Sequence, residues 1–350
     1  MQNQISLGSH ILYYRLNGEI GERLKVILKF LSRWRFLFGS LVSGRKHFGN
    51  ISWRTIIEES QLLGHSAIAI IHSQWLMPVY RFNLFRKHYP HVPIIISARG
   101  SQLTIHSLKR DSAELIVQNF EQADYIHCVS EDMRKRCISL GANPEKIFVN
   151  YNGINIDKFK PLADLVSTTS CLRLISVGAL IWRKGFLFQL LALKELVSRG
   201  VNCSLTIIGT GNDEEAIRYT AEKLGVISFL IIEGQKSENE VLKSLQSAHI
   251  YLSTSAAEGL PNSLVEAAAC GLPIVTFDCE GASEIIENEV SGFIVPFGSL
   301  QLMVDRVIVL KDQTVRMKMG NYAREKMERD FDERKWTGEM IQRYKYISSR

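Results

Sequence analysis

No Cys-x-x-Cys pair occurs among the six cysteines, Cys128, Cys137, Cys171, Cys203, Cys270 and Cys279, and no histidine cluster accompanies them. Zinc sites need thiolates or imidazoles at close spacing, and disulfide frameworks need paired cysteines in a short chain, so neither is indicated. Scattered free thiols fit a reducing cytosol. Long hydrophobic runs are lacking too: no eighteen successive residues are continuously apolar, and the N-terminal residues carry no cleavable apolar core. Neither a spanning helix nor a signal peptide is therefore expected. Basic residues are present, but no stacking-aromatic motif of a nucleic-acid module goes with them, which sets nucleic acid aside as a partner. The expected location is cytoplasmic, with the inner face of the membrane as a peripheral one.

At 350 residues, with 46% hydrophobic and 22% charged residues, the chain reads as an ordinary globular protein too long for one core. Two domains are expected. The net charge of +6 is unevenly placed, because seven Lys or Arg residues and no acid lie between Arg23 and His47. Leu24, Ile27, Leu28, Leu31, Trp34, Phe36, Leu37, Phe38 and Leu41 sit among these bases. Such a segment suits a helix lying on an anionic membrane surface through residues 23–47. It suits equally a domain helix with basic outer edges.

Short apolar runs at Ala67 to Ile71, Ile94 to Ile96, Tyr125 to Val129 and Ile147 to Val149 predict buried strands, with helices between them over Tyr80 to Tyr89, Ser112 to Phe120 and Glu131 to Leu140. The polar stretch from Pro161 to Ser170 predicts a linker. A second series follows, with strands at Leu174 to Val177, Ser204 to Ile208, Phe229 to Ile232, Ile250 to Leu252 and Pro273 to Phe277. Helices are expected at Phe186 to Ser198, Asp213 to Leu224, Glu238 to Ser247, Pro261 to Cys270 and Ala282 to Glu287, and the tail from Leu300 is helical by pattern. Strands alternating with helices imply an α/β protein with parallel sheets covered on both faces. The expected domains are 1–165, 166–325 and a C-terminal helix, 326–350, packing back on the first. Two doubly wound halves would face each other across a cleft, with ligands at the carboxyl ends of the strands.

The chemistry concentrates in Ser255-Ala256-Ala257-Glu258-Gly259-Leu260-Pro261-Asn262-Ser263-Leu264-Val265-Glu266-Ala267-Ala268-Ala269-Cys270-Gly271-Leu272-Pro273. Pro261 suits a first helical position, and Gly271 a left-handed stop. The free amides and positive dipole end at Gly259 to Asn262 suit an anionic diphosphate. Glu266 lies five positions beyond Pro261, about 7 Å along the helix axis, which matches the reach from a phosphate to a ribose. A carboxylate there can accept from both ribose hydroxyls, and Glu258 in the preceding loop can meet a transferred sugar. Taken alone, the two glutamates also read as helix-end acids stabilised by the dipole. Gly209-Thr210-Gly211 resembles a dinucleotide fingerprint, but Glu214 occupies the third glycine position and would repel a pyrophosphate. An oxidoreductase is demoted accordingly.

Two glutamates separated by seven residues, with Gly-Leu-Pro after the first and Gly-x-Pro after the helix, resemble the signature of the retaining family 4 glycosyltransferases. Upstream, Ser176-Val177-Gly178-Ala179-Leu180-Ile181-Trp182-Arg183-Lys184-Gly185 is similar to that family's strand-loop element, in which a Lys before Gly binds the donor diphosphate; Lys184 matches. Further matches are Ile207 to Gly211, Ala248 to Ser253, Glu280 to Glu284, Ser291 to Pro296, Ile70 to Trp75, Cys128 to Glu131 and Asn152 to Phe159. The resemblance implies the GT-B fold of two Rossmann-like domains, and transfer of a sugar from a nucleoside diphosphate sugar to a saccharide or lipid-linked acceptor with retention of configuration. It places this in cell-envelope polysaccharide synthesis. No metal or other cofactor is implied. The catalytic residues it implies are Glu258, Lys184 and Arg99. Its donor-binding set is Gly178, Arg183, Lys184, Gly209, Gly234, Glu258, Gly259, Leu260, Pro261, Asn262 and Glu266.

Three departures from the family pattern stand out. Ala179 occupies the place of the usual Arg, for which Arg183 is a substitute, and Arg99-Gly100-Ser101-Gln102 replaces His-Gly-x-Asp. Arg99 can donate to sugar or phosphate but cannot act as a base near neutral pH. His72 reads as a buried structural group. The usual opening strand and Gly-Gly loop are missing, and Ile11 to Tyr14 looks like a later strand. These departures leave an alternative, a catalytically silent sugar-nucleotide-binding or scaffold protein.

Overall fold

The computed structural model describes residues 68–162 and 171–349. The expected strand at Ile11 to Tyr14, the N-terminal stretch where the usual opening strand was expected to be missing, the basic segment 23–47 and most of the polar linker lie outside the described residues.

The first domain runs β1 (Ile71–Ser73), α1 (Val79–His88), β2 (Ile94–Ala98), α2 (Ser101–Thr104), α3 (Arg110–Gln122), β3 (Tyr125–Cys128), α4 (Glu131–Ser139) and β4 (Ile147–Val149). Its four described strands are all parallel and stand in sequence order, β1-β2-β3-β4. Every residue of β2 is buried, as a strand covered on both faces requires. The first strand differs from expectation: pairing begins at Ile71, opposite Ile94, and includes the polar His72 and Ser73. These two polar residues are tolerated because His72 finds side-chain partners, given below.

The second domain runs β5 (Leu172–Val177), α5 (Phe186–Ser198), β6 (Cys203–Ile208), α6 (Glu214–Lys223), β7 (Leu230–Ile232), α7 (Glu238–Ser247), β8 (Ile250–Ser253), α8 (Asn262–Ala269), β9 (Ile274–Phe277), α9 (Ala282–Ile285), β10 (Gly292–Val295), α10 (Leu300–Val309) and α11 (Gln313–Asp330). Its strands are ordered β10-β9-β8-β5-β6-β7, all parallel. The chain starts in the middle, winds outward to β7, returns to β8 beside β5 and winds outward again. The order therefore reverses between β5 and β8, and a crevice opens at their carboxyl ends. Phe186, Leu190, Leu193 and Leu196 of α5 pack with Met303, Val304 and Val307 of α10 in one buried cluster over this sheet. Truncating any of these large side chains to Ala would cost about 2–5 kcal/mol.

Three details correct the sequence reading. The strand β10 was not expected, because Gly292-Phe293-Ile294-Val295 is short and flanked by Ser291 and Pro296; it forms as an edge strand against β9. Pro261 stands at the N-cap of α8 with φ −75° and ψ 91°, one position before the first helical residue. The expected helix at Ala282 to Glu287 ends at Ile285, since Ile286 is extended.

The chain passes between domains twice. Residues 150–162 lead toward the second domain, and Phe331–Asp332 leads back to α12 (Glu333–Ser348). The passages touch: Ile154 N donates to Phe331 O at 2.8 Å, and Glu333 N to Ile154 O at 3.0 Å. Arg324 of α11 fastens the outgoing passage, donating to Ile156 O and Ala269 O, both at 2.9 Å, and to Phe159 O. Ile347 of α12 packs with Ile95 and Phe148 of the first domain. The helix break falls at Phe331, a few residues after the expected boundary at 326, because α11 continues to Asp330. No helix among the described residues is long and apolar enough to cross a membrane.

Candidate functional site

The reversal between β5 and β8 sets two loops side by side, 178–185 after β5 and 254–261 after β8. Lys184 projects from the first and Glu258 from the second, and their side chains meet with Nζ to Oε1 at 2.6 Å. Only 17% and 11% of the two side chains is exposed, so the pair is desolvated enough for its attraction to be strong. The loops are laced together through the backbone. Ala256 N donates to Arg183 O at 2.7 Å, and the buried Thr254 hydroxyl lies 3.0 Å from Lys184 O and 2.9 Å from Gly185 O. Gly185 has φ +67°, and a Cβ there would stand 2.2 Å from Thr254 O, so only glycine allows this approach.

Gly178, Gly209 and Gly234 follow β5, β6 and β7, and the structure stacks them as a staircase. Gly178 N donates to Ile208 O at 2.9 Å, and Gly209 N to Gly234 O at 2.8 Å. Gly178 lies against Lys184, whose Cε would be 3.2 Å from a Cβ at that position. Arg183 contributes its backbone to the loop, while its guanidinium makes no hydrogen bond or ion pair with another described residue.

Leu260 and Pro261 are buried, and Asn262 is exposed at the head of α8. The Asn262 side chain accepts from Asn152 Nδ2 of the first domain at 3.3 Å. Glu266 lies one turn further along the helix; burial above all, then Glu238, pushes its carboxyl up to about 7. Beneath it the buried Tyr251 hydroxyl donates to Val177 O at 3.1 Å and accepts from Val177 N at 3.0 Å, which fixes the end of β5.

The opposite wall is the turn after β2. Arg99 donates to Gln74 and lies 6.0 Å from the centre of the Trp75 ring. Gly100, next in the chain, touches the donor-side loop itself: a Cβ on Gly259 would fall 2.5 Å from Gly100 N. The two domains thus meet backbone to backbone at the mouth of the cleft.

His72 is where the sequence reading put it, in the interior. His127 Nε2 faces Asn150 O at 2.9 Å and must donate, so its Nδ1 accepts from Ser97, also at 2.9 Å. Ser97 in turn accepts from His72 Nε2 at 2.9 Å, and His72 Nδ1 accepts from Tyr344 of α12 at 2.6 Å. Both rings are neutral, since burial lowers His72 to about 3 and His127 to about 4. This file of polar groups pins α12 to the first sheet.

Sequence reasoning assigned no site role to Ser130, Asp132, Tyr151, Thr254, Glu280 or Glu284, all of which hold the site together. Ser130 and Glu280 to Glu284 did lie within stretches similar to the family pattern, but their partners are distant in sequence. Among the described residues no group of three His, Cys, Asp or Glu side chains is arranged to hold a metal ion.

Two family models divide the chain: that for "Glycosyltransferase Family 4" matches residues 10–158, and that for "Glycosyl transferases group 1" matches residues 165–326. A protein of Escherichia coli K12, named for colanic acid biosynthesis as the glycosyltransferase WcaL, is 29% identical over 67% of this chain and 62% of its own length. The amylovoran biosynthesis glycosyltransferase AmsK of Erwinia amylovora is 32% identical over 56% of this chain and 48% of its own. The chain thus spans between about half and three fifths of these curated relatives. Among solved structures, Anabaena HepE in complex with UDP and glucose superposes with a TM-score of 0.72 at 16% identity, covering 83% of this chain and 82% of that one. The shared fold is GT-B.

Proposed function

Since the chain belongs to the group 1 glycosyltransferases, we propose that it moves a hexose-type unit from a nucleoside diphosphate sugar to a saccharide or lipid-linked acceptor, with retention of configuration. The observation that carries this reading is the Lys184–Glu258 pair at the reversal of the sheet, beside the free amides of α8. Lys184 and the amides of Gly259, Leu260 and Asn262 would take the diphosphate, the part of the donor that gains charge as the glycosidic bond breaks. Preorganised donors aimed at developing charge are the largest catalytic term in most enzymes, and no metal is needed in this scheme. Glu258 would accept from sugar hydroxyls once a donor displaces its contact with Lys184. Glu266 would hold the ribose.

WcaL and AmsK are named for colanic acid and amylovoran biosynthesis, which supports envelope polysaccharide synthesis as the setting. An acceptor attached to lipid would bring the protein to the inner membrane face, where the bases of residues 23–47 suit anionic headgroups.

Calorimetric titration with UDP, GDP, ADP and their sugar conjugates, paired with a turnover assay, tests this reading. Binding of one nucleotide with slow hydrolysis or transfer of its sugar is expected. Binding with no turnover would favour the silent scaffold that Ala179 and Arg99 leave open, and no binding at all would defeat both.

A further inference from the structure

Beside the Lys184–Glu258 pair the two domains exchange hydrogen bonds reciprocally. Glu284 of the second domain accepts from Glu131 N at 2.8 Å and from Asp132 N at 2.9 Å, and the Tyr151 hydroxyl donates to the same carboxylate. In the other direction, Asp132 Oδ2 of the first domain accepts from Gly281 N at 3.0 Å. The first amides of a helix have no partner within it, so an acid from the opposite domain completes α4 as a cap normally would. Tyr151 stays a donor, because burial and then Glu284 hold its hydroxyl well above the usual phenol range.

The exchange grips the loop that carries Glu258. Glu280, next to Gly281, accepts from Glu258 N at 3.1 Å. Gly281 lies flat against that loop, with 2.8 Å between a Cβ built on it and Gly259 O. From the other side the Ser130 hydroxyl donates to Gly259 O at 2.7 Å. The backbone at 258–260 is therefore held between 280–281 of its own domain and 130–132 of the other.

Charge makes the arrangement all-or-none. Glu131, Asp132, Glu258, Glu280 and Glu284 converge here, with Lys184 2.6 Å from Glu258, Lys135 3.1 Å from Asp132 and Arg134 3.5 Å from Glu131. Glu284 is satisfied by amides and a phenol alone. Bonds of an ionised acceptor to backbone N–H groups are strong where water is kept out, and parting the domains would rehydrate all of them together.

We propose that Glu284 and Asp132 are positioning residues for the transfer reaction: they clamp the Glu258–Gly259 loop against the first domain, so that Glu258 is aimed correctly only when the two halves are shut. This rests on the donor-site reading above. Glu284→Ala and Asp132→Ala, made in the full chain, should each raise the radius of gyration by small-angle scattering without ligand. They should lower kcat ten- to a hundredfold while the dissociation constant for UDP or GDP stays within twofold. Asp132→Asn keeps an acceptor oxygen for Gly281 N and should restore most of the loss. Because Asp132→Ala opens the exchange from the other side, misfolding of one variant, seen by circular dichroism, leaves the other to decide. Unchanged scattering and kcat in the folded variants would overturn the clamp, as would a nucleotide affinity that falls in step with kcat. If the wild type binds no nucleotide the donor-site reading fails, and scattering alone then decides whether the clamp exists.

Discussion

At the scale of single residues the site is a contest between burial and charge. Burial raises the Glu266 carboxyl from 4.5 to about 7. An acid whose folded value is raised favours the fold fully below its unfolded value, and that contribution is lost as pH rises through about 7. Ribose hydroxyls donating to the ionised form would pull the value down again, so nucleotide binding near pH 6.5 should release a proton. Calorimetry in buffers of different ionisation enthalpy reads this directly. A binding enthalpy independent of buffer, or proton uptake, would remove Glu266 from the ribose site. Lys184→Met should slow transfer by about 10²–10³ and, by leaving Glu258 enclosed without its partner, destabilise the fold by about 3–5 kcal/mol. A denaturation midpoint equal to wild type would show that the pair is not desolvated as described. The placing of Glu258, Glu266 and Lys184 about one crevice was legible in the sequence because they lie within nineteen consecutive residues and one short upstream loop. Glu284 was not, since its amide partners stand 152 and 153 positions away and nothing local marks a carboxylate as a cap for another domain's helix.

Among elements, the turns after β2 and β8 matter most, because they meet without side chains. Gly259→Ala would drive a methyl group into Gly100 N, a backbone atom that cannot step aside. The expected result is a domain pair held ajar, with kcat falling at least tenfold and melting temperature changed by only a few degrees, about 1 kcal/mol in a domain of this size. Wild-type turnover in Gly259→Ala would mean that the contact is not part of the working state. Helix and strand positions were readable from periodicity, and the limits moved by only a few residues. The failures had physical causes: β10 is an edge strand too short for a pattern, and β1 carries His72, a polar residue that the sequence cannot show to be paired with Ser97 and Tyr344.

For the molecule as a whole, the buried histidines predict how it responds to acid. His72 and His127 titrate at about 3 and about 4 when folded and near 6.5 when unfolded. A base with a lowered folded value leaves stability intact above 6.5 and erodes it as pH falls, each group by up to about 1.4 kcal/mol per pH unit. The urea midpoint should therefore fall steeply between pH 6.5 and 5, and His127→Gln should flatten that fall. A slope unchanged in the variant would rule out the neutral ring. The basic segment yields a separate expectation: the protein should sediment with anionic vesicles, and Arg33→Glu with Arg35→Glu should abolish this. Equal sedimentation would favour the plain domain helix.

The two passages of chain between the domains lie against each other, joined through Ile154, Phe331 and Glu333, with Arg324 riveting one of them down. A single tether would let the halves swivel freely, whereas a doubled one behaves as a door hinge with one axis. The cleft can then only gape on the side away from those strands. On the proposed transfer, donor and acceptor would both have to pass through that one opening.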